Sequence, residues 1–286
     1  AYLARVSLYQ GNYSEAQSYA EDVLTLVDYS LEPDFGNVWS INNPNGVESI
    51  FEIQHNYDPV QWTGSALPSL TRSRADGGWG FATPSSHLES FMQGDPRLVH
   101  TIIKEGDYVD ADHPTYDTQP DQNESGRTNR KFYIGIADRA PDDEHLKAQL
   151  NHILFRFADL LLIHAEGAYH NSQEGAATTS LNLVRDRVGL GPLSVSGQDL
   201  LNAIYYERRM ELALEGHRYY DLKRSGRLDE AMNDFVNYNL NISTDQYDSK
   251  NPQGVLYDPL KHFIFPIPQS EIDMSGGVIK QNTEYN

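Results

Sequence analysis

Apolar positions recur at helical spacing in some stretches of the chain and lose that spacing in between. Near the start, Ala16, Tyr19, Ala20, Val23, Leu24 and Val27 fall on one helical face. A shorter patterned segment precedes them, and Gly11-Asn12-Tyr13 separates the two. Ser14, with Gln17 three residues on, offers a capping box for the second helix. Helical spacing returns at 151, where Leu154, Phe157, Leu161, Ala165 and Ala168 share a face. Leu160, Leu162 and Ile163 make that helix apolar nearly all round, so it is predicted to be buried. After a break at 171–175 a partner helix runs to Val188 and stops at Gly189-Leu190-Gly191-Pro192. Ser196, with Asp199, starts a third helix that Gly216 ends, and 219–224 begins its partner.

Small residues at Ala4, Ala16 and Ala20 let the first two helices approach closely, and the pair resembles a tetratricopeptide unit, which needs neighbours to cover it. From about 30 to 150 the pattern breaks up, with Gly, Pro, Asn and Asp every few residues. One strand stands out at 49–55, where Phe51 and Ile53 alternate with Glu52 and Gln54. A short helix is signalled at 85–93, before Gly94-Asp95-Pro96. So long a connection is either disordered or functional, and three Trp with many Tyr argue for order. The tail from 230 is polar and irregular until KHFIFPIPQSEID, where Phe263 and Phe265 point one way and Pro266-Ile267-Pro268 imposes extended chain. It is expected to pack back onto the helices.

The expected fold is therefore mainly α: tetratricopeptide-like hairpins in an α-α superhelix, with long irregular loops and a minor β component. Four segments follow: a hairpin at 1–29, a loop-rich ligand face at 30–150, scaffold hairpins at 151–229 and an irregular C-terminal segment at 230–286.

A length of 286 residues supports a sizeable core without staples. The net charge of -19 repels polyphosphate backbones and argues against nucleic acid as a partner. Cysteine is absent, which removes thiol nucleophiles, disulfides and zinc ribbons. No apolar run approaches the length of a membrane span. The opening AYLARVSLYQGNY carries no signal sequence and begins inside a helical pattern, so it reads as part of a longer chain with its targeting signal upstream.

Glu207, Glu211 and Glu215 stack at i, i+4 and i+8, a stripe that can hold two metals. The Glu-x-x-His spacing of such sites is missing, and the flanks are apolar, so structural ion pairs to Arg208, Arg218 and Arg224 are expected instead. His164-Ala165-Glu166 lacks the cysteines of a zinc deaminase, and His164 and His170 stand off the i, i+4 spacing of a metal pair. No hydrolase elbow, Walker loop or dinucleotide fingerprint is present. The acidic stretches 107–112 and 117–124 raise calcium without the spacing of an EF-hand loop; no cofactor is expected.

The loops are more informative. Tyr57, Trp62, Trp79 and Phe81 stand close together in sequence among Arg72, Arg74 and Asp76, and Tyr116 lies in a second polar loop. Aromatic faces pack on the apolar faces of sugar rings while Arg and Asp address hydroxyls, which suits a carbohydrate. Trp62 and Tyr57 lead the candidate set, followed by Trp79, Arg74, Asp76 and Tyr116. The competing reading makes each ring a plug for the protein's own core, Trp79-Gly80-Phe81 first.

The runs RFADLLLIHAEGAYH, LNLVRDRVGLGPL, LLNAIYYERRMELALEGHRYYDLKRSGRL and FPIPQSEID with its closing QN occur in order. Together with GGWGFATPSSHLESF and DPRL upstream, they resemble the C-terminal half of SusD/RagB-type proteins. One departure is Gln281-Asn282-Thr283-Glu284-Tyr285, where the family pattern has Gln-Asn-Pro-Gly-Tyr. The resemblance implies a helical scaffold with a loop-built ligand face. It also implies a non-enzymatic outer-membrane lipoprotein of Bacteroidetes-type bacteria, held at the cell surface by an N-terminal lipid anchor outside this chain. Such a protein captures an oligosaccharide and delivers it to a SusC-type TonB-dependent transporter. A peptide or host-protein ligand and a glycosidase acting on the same sugar remain as alternatives.

Overall fold

Helices α1 (Tyr2–Tyr9) and α2 (Tyr13–Leu24) form the first hairpin of the computed structural model, which describes residues 1–118, 125–141, 147–241 and 257–285. Asn12 caps α2, and its carbonyl accepts from the Ala16 amide at 2.9 Å. Ser14 therefore lies inside the first turn, and the expected capping box is not formed. Gln17 is instead buried, bonding Glu21 at 2.8 Å, Gln173 at 2.9 Å and Asn171 at 2.7 Å. These bonds satisfy a polar side chain between helices that would otherwise be costly to bury.

The chain divides into two units, Ala1–Arg218 and Tyr219–Asn286. At the centre of the first is α6 (Phe157–His170), with every residue from Ala158 to Ala168 buried, as its all-round apolar pattern predicts. It packs against α2, α7 (Glu174–Arg187) and α8 (Gly197–Glu211). A Cβ at Gly167 would lie 3.1 Å from the Gln17 nitrogen and the Tyr13 oxygen, so glycine sets how closely α2 approaches α6. His164 is an interior residue, its Nδ1 2.8 Å from the Ser180 hydroxyl.

Helical structure begins at 157 and not at 151, because β4 (His152–Arg156) pairs antiparallel with β1 (Ser49–Ile53). On β1 the alternation is inverted relative to polarity. Glu52 is buried, whereas Phe51 and Ile53 are 49% and 43% exposed. Glu52 is accommodated because its carboxylate accepts from the Asn45 amide at 3.1 Å and the Asn151 side chain at 2.8 Å.

The loop-rich region carries α3 (Leu67–Thr71), α4 (Ser86–Phe91), α5 (Leu98–Thr101) and the antiparallel pair β2 (Ile102–Lys104) and β3 (Arg127–Asn129). Buried charge fastens it to the helices. Glu211 accepts from Arg97 at 2.9 Å, from Arg156 at 2.5 Å and from Arg187. Glu207 meets Arg97 at 2.6 Å and Arg185 at 3.2 Å; Glu215 meets Lys131 at 2.7 Å and Arg156 at 2.8 Å. Glu48 completes the set with Arg156 at 2.7 Å and Arg187 at 3.0 Å, and Asp95 with Arg97 at 2.7 Å.

Five cations thus face five carboxylates, which is what makes so much buried charge tolerable. Burial pushes the Glu211 carboxyl up, but Arg187, Arg156 and Arg97 together hold it well below the carboxylate range. Burial lowers Lys131 to about 8 against the pull of Glu215. The ion-pair expectation for the stripe holds, with different partners. Arg208 turns to Asp159 at 2.9 Å and Arg224 to Asp221 at 2.8 Å. The third helix also ends at Glu211, short of 215, since Arg156 and Lys131 take the Glu211 carbonyl at 2.8 and 2.9 Å.

The second unit holds all but the first residue of α9 (Arg218–Arg224), with α10 (Leu228–Asn241) and α11 (Gln269–Met274). The Phe265 ring stands 5.8 Å from Tyr219, and the Lys223 ammonium lies 4.6 Å over Phe263. The Gln281 amide exchanges two bonds with the Ile267 backbone at 2.8 and 2.9 Å, and Asn282 donates to the Phe265 carbonyl at 2.7 Å. The closing Gln-Asn pair therefore supplies side-chain partners to the proline-interrupted segment 265–268, whose prolines have no N–H to donate.

Candidate functional site

With five residues, α3 is little more than one turn, so its last carbonyls lack helical partners. The following loop supplies them. The Trp79 amide donates to Ser69 O at 2.9 Å, Phe81 to Leu70 O at 2.8 Å, Gly80 to Arg72 O at 3.0 Å and Gly78 to Ser73 O at 2.8 Å. A Cβ at Gly78 would sit 2.3 Å from both Cγ and the carbonyl oxygen of Arg72, and Gly80 holds φ +67°, so both glycines are required for this fold-back.

The result is a presented aromatic pair. Trp79 and Phe81 meet edge to face at 5.6 Å and stay 42% and 52% exposed. They do not plug the core. Arg74 is exposed beside them and donates from Nε to the Trp79 carbonyl at 3.2 Å.

Trp62 stands on a second loop. Asp58 accepts from the Val60 and Gln61 amides at 2.7 Å each, bonds that hold its carboxyl below the usual range. Thr63 bonds Asn56 twice, at 3.2 and 2.9 Å, and the Ser65 amide ties the base to Ala148 O at 2.7 Å. Lys147 reaches the Pro59 carbonyl at 3.2 Å and lies 5.5 Å over the Trp62 ring. Trp62 is 62% exposed and Tyr57 half-buried. Both loops hang from the short segment 63–72, one at each end.

Two candidates are placed differently from the sequence expectation. Tyr116 is fully buried, so its ring offers no face to a ligand; burial, with the Asp76 charge next, pushes its phenol up to about 12. The Asp76 carboxylate is nearly enclosed, gripped by Arg139 at 2.7 and 2.6 Å and approached by His113 Nε2 at 3.2 Å. Both residues support the loop from beneath. His113, Tyr133, Arg139 and Lys147 were missed by sequence reading, because they lie 34 to 85 positions from Trp79 or Trp62 and carry no local signal. Tyr133 sits 2.8 Å from His113 Nδ1 and donates to Asp110 at 2.9 Å; burial, then Asp110, raises its phenol, which makes it a donor and not a nucleophile. Among the described residues no three His, Asp or Glu side chains gather as a metal site. Residues 119–124 of the second acidic stretch lie outside those described.

A solid scaffold with irregular, ring-bearing loops also matches known proteins. The model of the SusD family matches residues 47–285. The chain belongs to the SusD family. SusD-like protein P2 of Formosa agariphila is 26% identical over all of this chain and 58% of its own length. A laminarin binding SusD-like protein superimposes with a TM-score of 0.76 at 27% identity, over 99% of this chain and 61% of its own. Surface glycan-binding protein A from Bacteroides thetaiotaomicron, in complex with laminarihexaose, gives 0.76 at 26%, over 98% and 62%. The chain thus spans about three fifths of these SusD family relatives, and their mainly helical architecture is the one observed here.

Proposed function

We propose that the chain is the loop-bearing part of a non-catalytic, cell-surface glycan-binding protein. It captures an oligosaccharide of the laminarin type and passes it to a SusC-type TonB-dependent transporter in the outer membrane, where a lipid anchor upstream of this chain holds it. The observation that carries the reading is the pair of loops from one short segment, each presenting exposed rings, Trp62 on one and Trp79 with Phe81 on the other. Rings fixed by backbone bonds lose little freedom on binding, so stacking on sugar is not offset by ordering. The naming of two structural relatives for laminarin and laminarihexaose supports the ligand class.

Calorimetry with laminarihexaose and a panel of other glycans tests this. Retention without release of shorter sugars, unchanged by EDTA, is expected. Product formation would make the protein a glycosidase, and indifference to every glycan would end the carbohydrate reading.

A further inference from the structure

Glu52 differs from the buried carboxylates of the ion-pair network. Glu48, Asp159, Glu207, Glu211 and Asp221 each meet at least one guanidinium. Glu52 is 8% exposed, yet among the described residues no cation lies within ion-pair distance of it. Its Oε2 takes two neutral hydrogen bonds, from the Asn45 amide at 3.1 Å and the Asn151 side chain at 2.8 Å. Its Oε1 accepts none among the described residues. A charge held so deep with one oxygen unsatisfied is costly unless a further partner reaches it.

That partner has a way in. Glu52 lines a cleft of about 240 Å³, open to solvent, between the segment 38–44 and the start of β4. Glu52 pairs with Ile153 across β1 and β4, so both side chains project to this face, and Trp39 lines the same cleft. The fixed donors around it are already engaged. Asn151 Nδ2 gives its protons to Glu52 at 2.8 Å and Gln54 at 3.0 Å, and Asn43 Nδ2 gives its own to Glu32 and the Asn37 carbonyl at 3.2 Å each. What is left over among these groups is acceptors: Glu52 Oε1 and Asn43 Oδ1, with the exposed Gln149 side chain at the rim. Glu32 behind Asn43 adds a second negative charge.

Free acceptors, engaged donors and net negative charge suit a group that only donates and is positive, and a primary ammonium is such a group. Trp39 and Ile153 give the carbon skeleton beside it an apolar wall, while Gln149 can address hydroxyls. The volume is too small to enclose an oligosaccharide. We propose that this cleft is a second binding site, for a small ligand that carries a primary ammonium on a hydroxylated ring, an amino sugar, with the ammonium on Glu52 Oε1. None of Trp62, Trp79 and Phe81 lines it, so the site does not rest on the function proposed above.

Titration of the ¹⁵N-labelled full chain with D-glucosamine, followed by NMR, tests this, with D-glucose and calcium as comparisons. Saturable shifts are expected at the Trp39 indole and at the side-chain amides of Asn43, Gln149 and Asn151, and none there with glucose at the same concentration. Glu52→Gln keeps the shape and an oxygen for Asn45 and Asn151, and should weaken glucosamine binding at least about tenfold. Because Glu52 is buried, Gln149→Ala at the exposed rim is the second variant; it should melt as the wild type does and bind about threefold more weakly. No response to glucosamine, an equal response to glucose, the same shifts with calcium, or wild-type affinity in both variants would overturn the site. Laminarihexaose in excess should leave the glucosamine shifts in place, and displacement of glucosamine by it would likewise overturn a separate site. Laminarihexaose that binds nowhere ends the proposed function and leaves the cleft standing.

Discussion

Arg156 holds Glu211 twice, once through the carboxylate at 2.5 Å and once through the main-chain carbonyl at 2.8 Å. One side chain at the end of β4 thereby neutralises the last residue of α8 and closes that helix. Arg97 and Arg187 converge on the same carboxylate. Replacing Glu211 by Ala would remove the carboxylate that three buried guanidinium groups share, at a cost of about 3–5 kcal/mol. Thermal denaturation of Glu211→Ala should show a melting temperature several degrees lower, while the folded fraction keeps its affinity for glycan. Lost affinity at full stability would place Glu211 in the site instead.

Trp62 is the most exposed tryptophan, with the Lys147 ammonium 5.5 Å over its ring. Truncating it removes ligand contact with little change to the core. Trp62→Ala should weaken binding of laminarihexaose by about 1–3 kcal/mol, the value of burying an aromatic side chain, with an unchanged melting curve. Trp79→Ala should cost a similar amount. Affinity equal to wild type in calorimetry would remove the ring in question from the binding face.

Gly64 sets the second loop on its base. A Cβ there would lie 2.3 Å from the Lys147 carbonyl carbon and 2.7 Å from the Ala148 nitrogen, both backbone. Gly64→Ala must therefore separate the segment from 147–148, break the Ser65–Ala148 bond and move Trp62. Gly175 meets nothing within 4 Å and lies within α7, so Gly175→Ala should be neutral or slightly stabilising. Parallel binding isotherms check the contrast; equal affinity in both variants would mean that Trp62 does not depend on this base.

The helices were legible because each buries one stripe, or in α6 its whole surface, and such periodicity is written in the local sequence. Strand β4 was not: His152–Arg156 continues the apolar run of α6, and only its pairing with Ser49–Ile53, a hundred positions away, makes it extended. Likewise the stripe of Glu207, Glu211 and Glu215 announced buried charge, but its guanidinium partners come from three other elements at no fixed spacing. In the candidate site, Trp62, Trp79 and Arg74 were legible as exposed rings and charge among glycines, where no regular element could bury them. Tyr116 and Asp76 looked the same in sequence. What separates them is burial against partners distant in sequence, Arg139 and His113 on Asp76 and Tyr133 beside Tyr116, which local composition does not reveal.

Acid should expose the asymmetry inside the buried network. Burial pushes Glu211, Glu215 and Asp159 up, but their arginine neighbours win and hold all three below their usual ranges. A depressed carboxyl contributes stability that is present above its unfolded value, about 4, and lost as pH falls through the folded one. Glu207 runs the other way: burial outweighs Arg97, and its carboxyl is raised. A raised carboxyl gains stability as pH falls toward its unfolded value. With three groups against one, the melting temperature should drop between about pH 4 and 2. The neutral mimics sharpen this. At pH 7, Glu207→Gln should lower the melting temperature less than Glu211→Gln, because the fold already disfavours charge at 207 and demands it at 211. The reverse order in differential scanning calorimetry would mean that Arg97 and Arg185 outweigh burial at Glu207.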